Sequence, residues 1–428
     1  MRPSRSLLCC AVALPLVSLA FADPAPAPRW WRGNLHTHSL WSDGNDFPEM
    51  VVDWYRARPE YQFLALTEHN VLADHEKWVE NDLVVRRGGR SALKEYRERF
   101  GEDWVETREP DGGKLEVRLK TLPEFRGKFE ESGRFLLIDA EEITDSHSGL
   151  PIHINATNVG ELIRPAGGES VRDVIQRNLE SVKAQSERLG RPILAHVNHP
   201  NFGWAVTAED LAHATAERFF EVYNGHPGVR QLGDDVHASI ERAWDIANAL
   251  RIQELGEAPL FGLATDDSHN YHNASASIPG RGWVVVRAES LNAEELIDAM
   301  EAGDFYASSG VALRDVRFAD GVLEIEVEPV EGETYRIDFV GTPAGVDLSG
   351  EVVEGEDGAP VHATHRYPAA VGSILRSEVG TSARYELTGD ELYVRTIVTS
   401  SASPDRPVWE EQRKQAWTQP VGWRARVR

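Results

Sequence analysis

Seven short apolar runs between Arg32 and Ala264 have the length and composition of β-strands, and five of them carry histidine, aspartate or glutamate at or just beyond their ends. Arg32–Leu35 runs into His36, His38 and, five residues later, Asp43; Phe63–Leu66 runs into His69; Arg134–Asp139 into Glu141 and Glu142. Pro151–Asn155 contains His153, Pro192–Val197 leads through His196 to His199, and Leu260–Ala264 leads to Asp266, Asp267 and His269. The remaining run, Phe219–Tyr223, carries Glu221, Tyr223 and Asn224. Stretches with apolar residues at helical spacing lie between several of these runs: Pro48–Arg58, Ser170–Leu189, Ala208–Ala216, Asp235–Leu250 and, after the last run, Asn292–Ala302. This alternation predicts an α/β fold, a barrel or a doubly wound sheet, and the pattern alone does not choose between them. In a parallel arrangement the strand ends share one rim, which is where such folds place their sites.

Side chains alternate across a strand, so the two histidines of H-x-H at His36 and His38 point to one face, as do Asp267 and His269. Imidazole and carboxylate converging on one rim suit zinc, manganese or iron. Of 15 histidines only His362 and His365 fall beyond His272. A single histidine is more often a core or surface residue than a ligand, and His75, His147, His213, His226, His237 and His272 are read that way, as surface or supporting residues. Glu221, Tyr223 and Asn224 either shape the pocket or simply turn the chain.

Both cysteines, Cys9 and Cys10, lie in a leader. Arg2 and Arg5 precede the apolar run Leu7–Phe21, and Ala20-Phe21-Ala22 is an A-x-A cleavage pattern. The run contains Pro15 and is shorter than the ~20 residues a membrane span needs, so residues 1–22 are expected to be a cleaved signal peptide and the protein periplasmic or secreted. The mature chain then has no cysteine, and its metals are held by nitrogen and oxygen alone. Residues 23–29, rich in proline, form a linker. The excess of 69 acidic over 45 basic residues, a net charge of −24, argues against a nucleic-acid duplex as partner. A composition 41% hydrophobic fits a well-cored globular protein with no stable membrane span.

Residues 71–132 interrupt the alternation with a strongly charged segment. Its Arg86, Arg87, Arg90, Lys94, Arg97 and Arg99 suit a lid over an anionic substrate, but interleaved acids favour a solvated insertion. Beyond Leu313 the period becomes two: Leu323, Ile325 and Val327 alternate with Glu324, Glu326 and Glu328. Residues 313–428 are therefore expected to be a β-rich, sandwich-like domain after a 30–312 catalytic one.

The motifs GNLHTHSLWSDG, LTEHN, EEIT…HIN, NHP and DDSH resemble the ordered motifs of the polymerase and histidinol phosphatase (PHP) superfamily. Together with the trailing GDFYASSG and a β-rich tail, they are most similar to its CehA/McbA-like secreted metallohydrolases. The resemblance implies a distorted (β/α)7 barrel holding two to three divalent ions, zinc, manganese or iron. Carried over by motif, one ion would take His36, His38, Glu142 and Asp267; a second would share Glu142 and add His153 and His199; a third would take Asp43, His69 and His269. Glu142, not Glu141, directly precedes an apolar residue and threonine as the family pattern has it, and His199, not His196, precedes proline. Asn34 and Glu68 stand where the family commonly has aspartate, which leaves the ligands intact but bears on their support.

A hydroxide bridging two such ions would attack phosphorus or carbonyl carbon, and the ions would let an acidic protein accept an anionic small molecule. His199, Asp267 or His269 would pass a proton to the leaving group. The leading expectation is a phosphoesterase acting on small phosphomono- or diesters. A carbamate, ester or amide hydrolase of the CehA/McbA type is the alternative, and a non-catalytic metal- or glycan-binding surface protein a third reading. A serine nucleophile lacks its G-x-S-x-G elbow. Oligomeric state leaves no trace in the sequence.

Overall fold

The computed structural model describes residues 28–272 and 276–427. The expected signal peptide, with Cys9 and Cys10, and all but the last two residues of the expected linker lie outside them. The chain enters through β1 (Arg29–Asn34). Helix α1 (Pro48–Arg56) opens with proline at its start, where no N–H is needed, has Glu49 in its first turn and Arg56 in its last, and buries Val51, Val52 and Tyr55. Strand β2 (Phe63–His69) pairs parallel to β1 and is apolar until Thr67.

The charged segment that follows folds as β3 (Lys77–Glu80), α2 (Asn81–Gly88), α3 (Ala92–Phe100), β4 (Thr107–Arg108), β5 (Glu116–Leu119) and α4 (Leu122–Phe129). Its strands form a separate antiparallel sheet in the order β3-β5-β4. Tyr96, Val84, Val117 and Leu119 pack on Trp41 and Phe47, so the insertion is cored against the loop that carries Asp43. Its cations are mostly spent on carboxylates: Lys94 on Glu98 at 3.5 Å, Arg97 on Glu102 at 3.3 Å, Arg99 on Asp53 at 2.6 Å. Arg87 instead donates to the carbonyl of Ser42 at 2.6 Å, beside Asp43.

The chain continues through β6 (Leu136–His147), β7 (Leu150–Thr157), α5 (Val171–Leu189), β8 (Leu194–Val197), α6 (Ala208–Ala212), β9 (Phe219–Asn224), α7 (Ile240–Ala249) and β10 (Phe261–Thr265). Ser170 caps α5 by accepting from the Asp173 amide, and Gly190, at φ 65°, ends it. Then come β11 (Trp283–Ala288), α8 (Ala293–Ala302) and β12 (Phe305–Ser308).

The α/β fold expected from the alternation forms, and its sheet, in the order β10-β9-β8-β7-β6-β2-β1-β11-β12, is mixed. β7 runs antiparallel to both β6 and β8. The reason is local: β6 continues to His147, well past the expected Asp139, and Ser148-Gly149, both at positive φ (50° and 84°), close a two-residue hairpin into β7. His153 therefore reaches the rim from an antiparallel strand, opposite Thr144 of β6. At the other end of the array the segment after β1 meets the segment after β10 through a parallel bridge between Thr37 and Ser268.

The tail contains β13 (Leu313–Ala319), β14 (Val322–Val327), β15 (Tyr335–Pro343), β16 (Ser373–Val379), β17 (Ser382–Glu386), β18 (Glu391–Ser400) and β19 (Gln415–Thr418). β13, β14 and β17 form their own sheet, whereas β19 pairs with β12, so the main sheet continues through β19-β18-β15-β16. Leu323, Ile325 and Val327 meet Ile337, Phe339 and Val398 in one apolar cluster, as the period-two alternation requires. Asp245 of α7 accepts from Arg395 of β18 at 2.8 and 2.6 Å, with Tyr393 donating at 2.7 Å, all buried. Among the described residues no helix is long and apolar enough to cross a membrane.

Candidate metal centre

The nine expected ligands come together in overlapping groups, most of them from strand ends or the loops beyond, but Glu142 from the middle of β6 and His153 from the middle of β7. His36 and His38 follow β1 and are fully buried. Nε2 of His36 stands 3.4 Å from Glu142 Oε1 and 3.3 Å from Asp267 Oδ1; Nε2 of His38 stands 3.3 Å from Glu142 Oε2 and 3.3 Å from the same Asp267 oxygen. Two donors each about 2 Å from a shared ion stand about 3.3 Å apart, so each of these contacts suits a pair of ligands, with the two histidines meeting different oxygens of Glu142. Nε2 of His36, Nε2 of His38 and Oε2 of Glu142 are buried without hydrogen-bond partners, an arrangement costly for polar atoms unless they ligate. The donor set thus fits a divalent ion.

Glu142 is the hub. Its Oε1 lies 2.9 Å from Nδ1 of His153, another buried atom without a hydrogen bond, and 3.6 Å from Nε2 of His199. Its Oε2 lies 2.9 Å from Nδ1 of His69. The groups overlap: His199 clusters with His36 and Asp267, and His153 with Glu142 and His69. Glu141 points away and accepts from the amide of Ile163 at 2.6 Å. The third expected group, Asp43, His69 and His269, is also joined, and His38 enters it through Nδ1. Asp43 lies 3.5 Å from His69 and 3.3 Å from His269 and is 47% exposed, which puts this group at the mouth.

Three residues at the centre hold left-handed backbone that side chains disfavour: His199 (φ 26°), Asp267 (φ 47°) and Asn70 (φ 52°), next to His69. Asn70 is tied to β6 by exchanging side-chain hydrogen bonds with the Thr144 backbone, each 2.9 Å. Such strain persists where surrounding contacts dictate it, and it clusters at functional sites.

Support comes from residues outside the nine expected ligands. Oε1 of Glu221 lies 2.7 Å from Nδ1 of His36 and accepts from Thr265 at 2.7 Å, while its Oε2 accepts from the His199 amide at 2.8 Å and from Asn224 at 2.8 Å. Asn224 also donates to Asp267 at 3.1 Å. Asn198, the first residue of the NHP motif, donates to Glu142 at 2.7 Å and to Asn155 at 2.9 Å. His196 lies one layer below, 3.6 Å from Glu221. Tyr223 turns away, stacks on Trp417 and accepts from Gln412. His226, expected at the surface or in support, has its ring 5.7 Å from that of His269 and 5.9 Å from Phe202. Its Nδ1 accepts from the Gly228 amide at 2.9 Å, which leaves the neutral ring's proton on Nε2. His75, His237 and His272 pair with Asp74, Asp234 and Asp46, and His147 and His213 with backbone carbonyls.

Asn34 accepts from the His36 amide at 2.9 Å and donates to the Gly282 carbonyl. Glu68 accepts from the Ser39 amide and from the hydroxyls of Ser39 and Ser42. Both therefore brace the backbone that presents the ligands and leave the imidazoles free.

Glu142, Asp267, Asp43 and Glu221 have only histidines as ion-pair partners among the described residues. Burial opposes their ionisation, but His36, with His153 and His69, holds Glu142 well below the usual carboxylate range, and His36 and His38 do the same for Asp267. His269 and His69 hold Asp43 low, and His36 and His196 hold Glu221 low. Conversely, Asp267, Glu221 and Glu142 overcome burial to raise His36 well above its ordinary value, and Glu142 and Asp43 push His69 up to about 11. Burial and the neighbouring His269 push His38 down to about 3. The centre is a fixed anionic cage in which imidazole protons and divalent ions would compete for the same carboxylates. No protein-family model matches the chain, and no curated protein matches it either.

Proposed function

We propose that this chain is an exported multinuclear metal-dependent hydrolase of the PHP superfamily, a phosphoesterase acting on small phosphomono- or diesters. The observation that carries the reading is the convergence of His36, His38, Glu142 and Asp267, buried with nitrogen–oxygen separations of 3.3–3.4 Å and three donor atoms free of hydrogen bonds. Seven adjacent strands, β10 to β1, with the Thr37–Ser268 bridge at their ends, support a distorted (β/α)7 barrel. The facing sheets of the tail support a sandwich-like domain.

Divalent ions held by these residues would lower the pKa of water and polarise a phosphoryl or carbonyl oxygen. The chain's own part is positioning. Glu221 fixes the ring of His36, Asn198 fixes Glu142, and Asn224 fixes Asp267. Asp43 and His269 at the mouth meet the substrate first, and His199, Asp267 and His269 are the groups to pass a proton to the leaving oxygen, Asp267, held ionised by His36 and His38, only after taking one from the attacking water. His226, with its proton on Nε2 at the same mouth, is a fourth donor.

Hydrolysis of a carbamate, ester or amide is the second reading, favoured by Phe202. Its ring lies 5.1 Å from His199 and 6.4 Å from His153, an apolar wall suited to an aryl leaving group. Turnover of nitrophenyl phosphate, bis-nitrophenyl phosphate and naphthyl esters or carbamates, with manganese, zinc or iron, tests both. Phosphoester turnover abolished by His38→Ala and Asp267→Ala supports the first. Carbon-ester turnover without phosphatase activity replaces it with the second. No turnover sensitive to either variant favours a binding protein.

A further inference from the structure

A cleft of about 350 Å³ lies outside the metal centre, between β1, the end of α1 and the loop joining β18 to β19. Three guanidinium groups, those of Arg32, Arg58 and Arg406, line it. Arg32 is sandwiched 3.4 Å over Trp283 and 4.3 Å over Tyr61, and Arg58 lies 3.5 Å over Trp54. Aromatic rings occupying the faces of Arg32 and Arg58 leave their N–H edges to do the bonding, the geometry that suits oxyanions.

Few of those edges are used. Arg32 donates to the Tyr61 hydroxyl at 3.0 Å, and its buried Nε has no partner. Arg58 donates to the Trp54 carbonyl at 2.6 Å. Every ion pair of the insertion described above shows how readily this chain, with 24 excess negative charges, supplies carboxylates to its cations. Yet among the described residues no carboxylate comes within 4.0 Å of any of these three, although Glu60 and Asp405 also line the cleft. Burial disfavours the charge of Arg58, and the nearby Arg406 adds to that. Lys414, also on the cleft wall, is neutralised by Glu333 at 2.6 Å.

We propose that Arg32, Arg58 and Arg406 form a second binding site, separate from the metal centre, for a tetrahedral oxyanion of the phosphate class. A ligand there would bridge the body of the sheet to the loop carrying Arg406. That loop also accepts, at the Arg406 carbonyl, a hydrogen bond from Arg281, whose amide holds Asp266.

Equilibrium dialysis of labelled inorganic phosphate against the full protein, stripped of metal by chelator, separates this site from the metal centre and from the proposed activity. The expected result is one phosphate per chain. Binding should be about tenfold weaker in Arg58→Gln, and in Arg406→Gln, each of which loses a charged donor without disturbing the core. Sulfate and glycerol phosphate should displace the label and chloride at equal ionic strength should not. Stronger displacement by glycerol phosphate than by sulfate identifies a phosphomonoester as the ligand, and equal displacement a free oxyanion. Absence of phosphate binding to the stripped protein, unchanged binding in both variants, or equal displacement by chloride overturns the proposal.

Discussion

Oε1 of Glu221 lies 2.7 Å from Nδ1 of His36, while Nε2 of the same ring faces Glu142 at 3.4 Å and Asp267 at 3.3 Å. A carboxylate behind a ligating imidazole fixes its tautomer and makes it more basic. Glu221→Gln keeps the shape and removes the charge, so affinity for the ions should fall about 10- to 100-fold with the fold retained. Competition against a chromogenic chelator, with circular dichroism as control, reads both.

Asp43 belongs to the mouth group and to none of the buried ones. Asp43→Ala is therefore expected to cost about one bound ion per chain and to leave the His36, His38, Glu142 and Asp267 set loaded. The metal-to-protein ratio of the desalted variant measures this, and loss of all metal would merge the groups into one cooperative site.

The clamp between Asp245 and Arg395 is buried, bidentate and supported by Tyr393. Asp245→Ala leaves a buried guanidinium uncompensated, so stability should drop by about 3–5 kcal/mol. Adding Arg395→Met should restore part of it. Thermal denaturation of the two variants reads the difference.

Burial, with Glu301 nearby, pushes the Glu217 carboxyl up to about 8 from an ordinary 4.5. The folded state then holds this proton more tightly than the unfolded one, so stability declines as pH rises from about 4.5 to about 8. Glu217→Gln removes that decline. With part of the side chain still solvated, the gain above pH 8 is roughly 2 kcal/mol, or about 2 °C in Tm, and none is expected near pH 4.

Much of the candidate site was legible because most of its residues sit at the ends of apolar runs: the nine residues expected as ligands fall into overlapping groups. What the pattern could not convey was direction. β7 reads as one more apolar run, and only the Ser148-Gly149 hairpin, hidden beyond an underestimated β6, makes it antiparallel. Glu221 stands where the chain could simply turn, but a charged residue inside the wholly buried strand FFEVYN is itself a signal of a paired interior carboxylate. His226 lies on a loop after β9, where no periodicity marks it. The tail's alternation was readable, but the pairing of β19 with β12 spans about a hundred residues and leaves no local trace.

Metal content of the purified protein, reconstituted with manganese, zinc or iron and then desalted, bears most directly on a metal-dependent hydrolase. We expect two to three ions per chain in the wild type and a clear loss in His38→Ala and Asp267→Ala variants that remain folded. A folded wild type that retains less than one ion, or variants that retain as many as the wild type, would refute it.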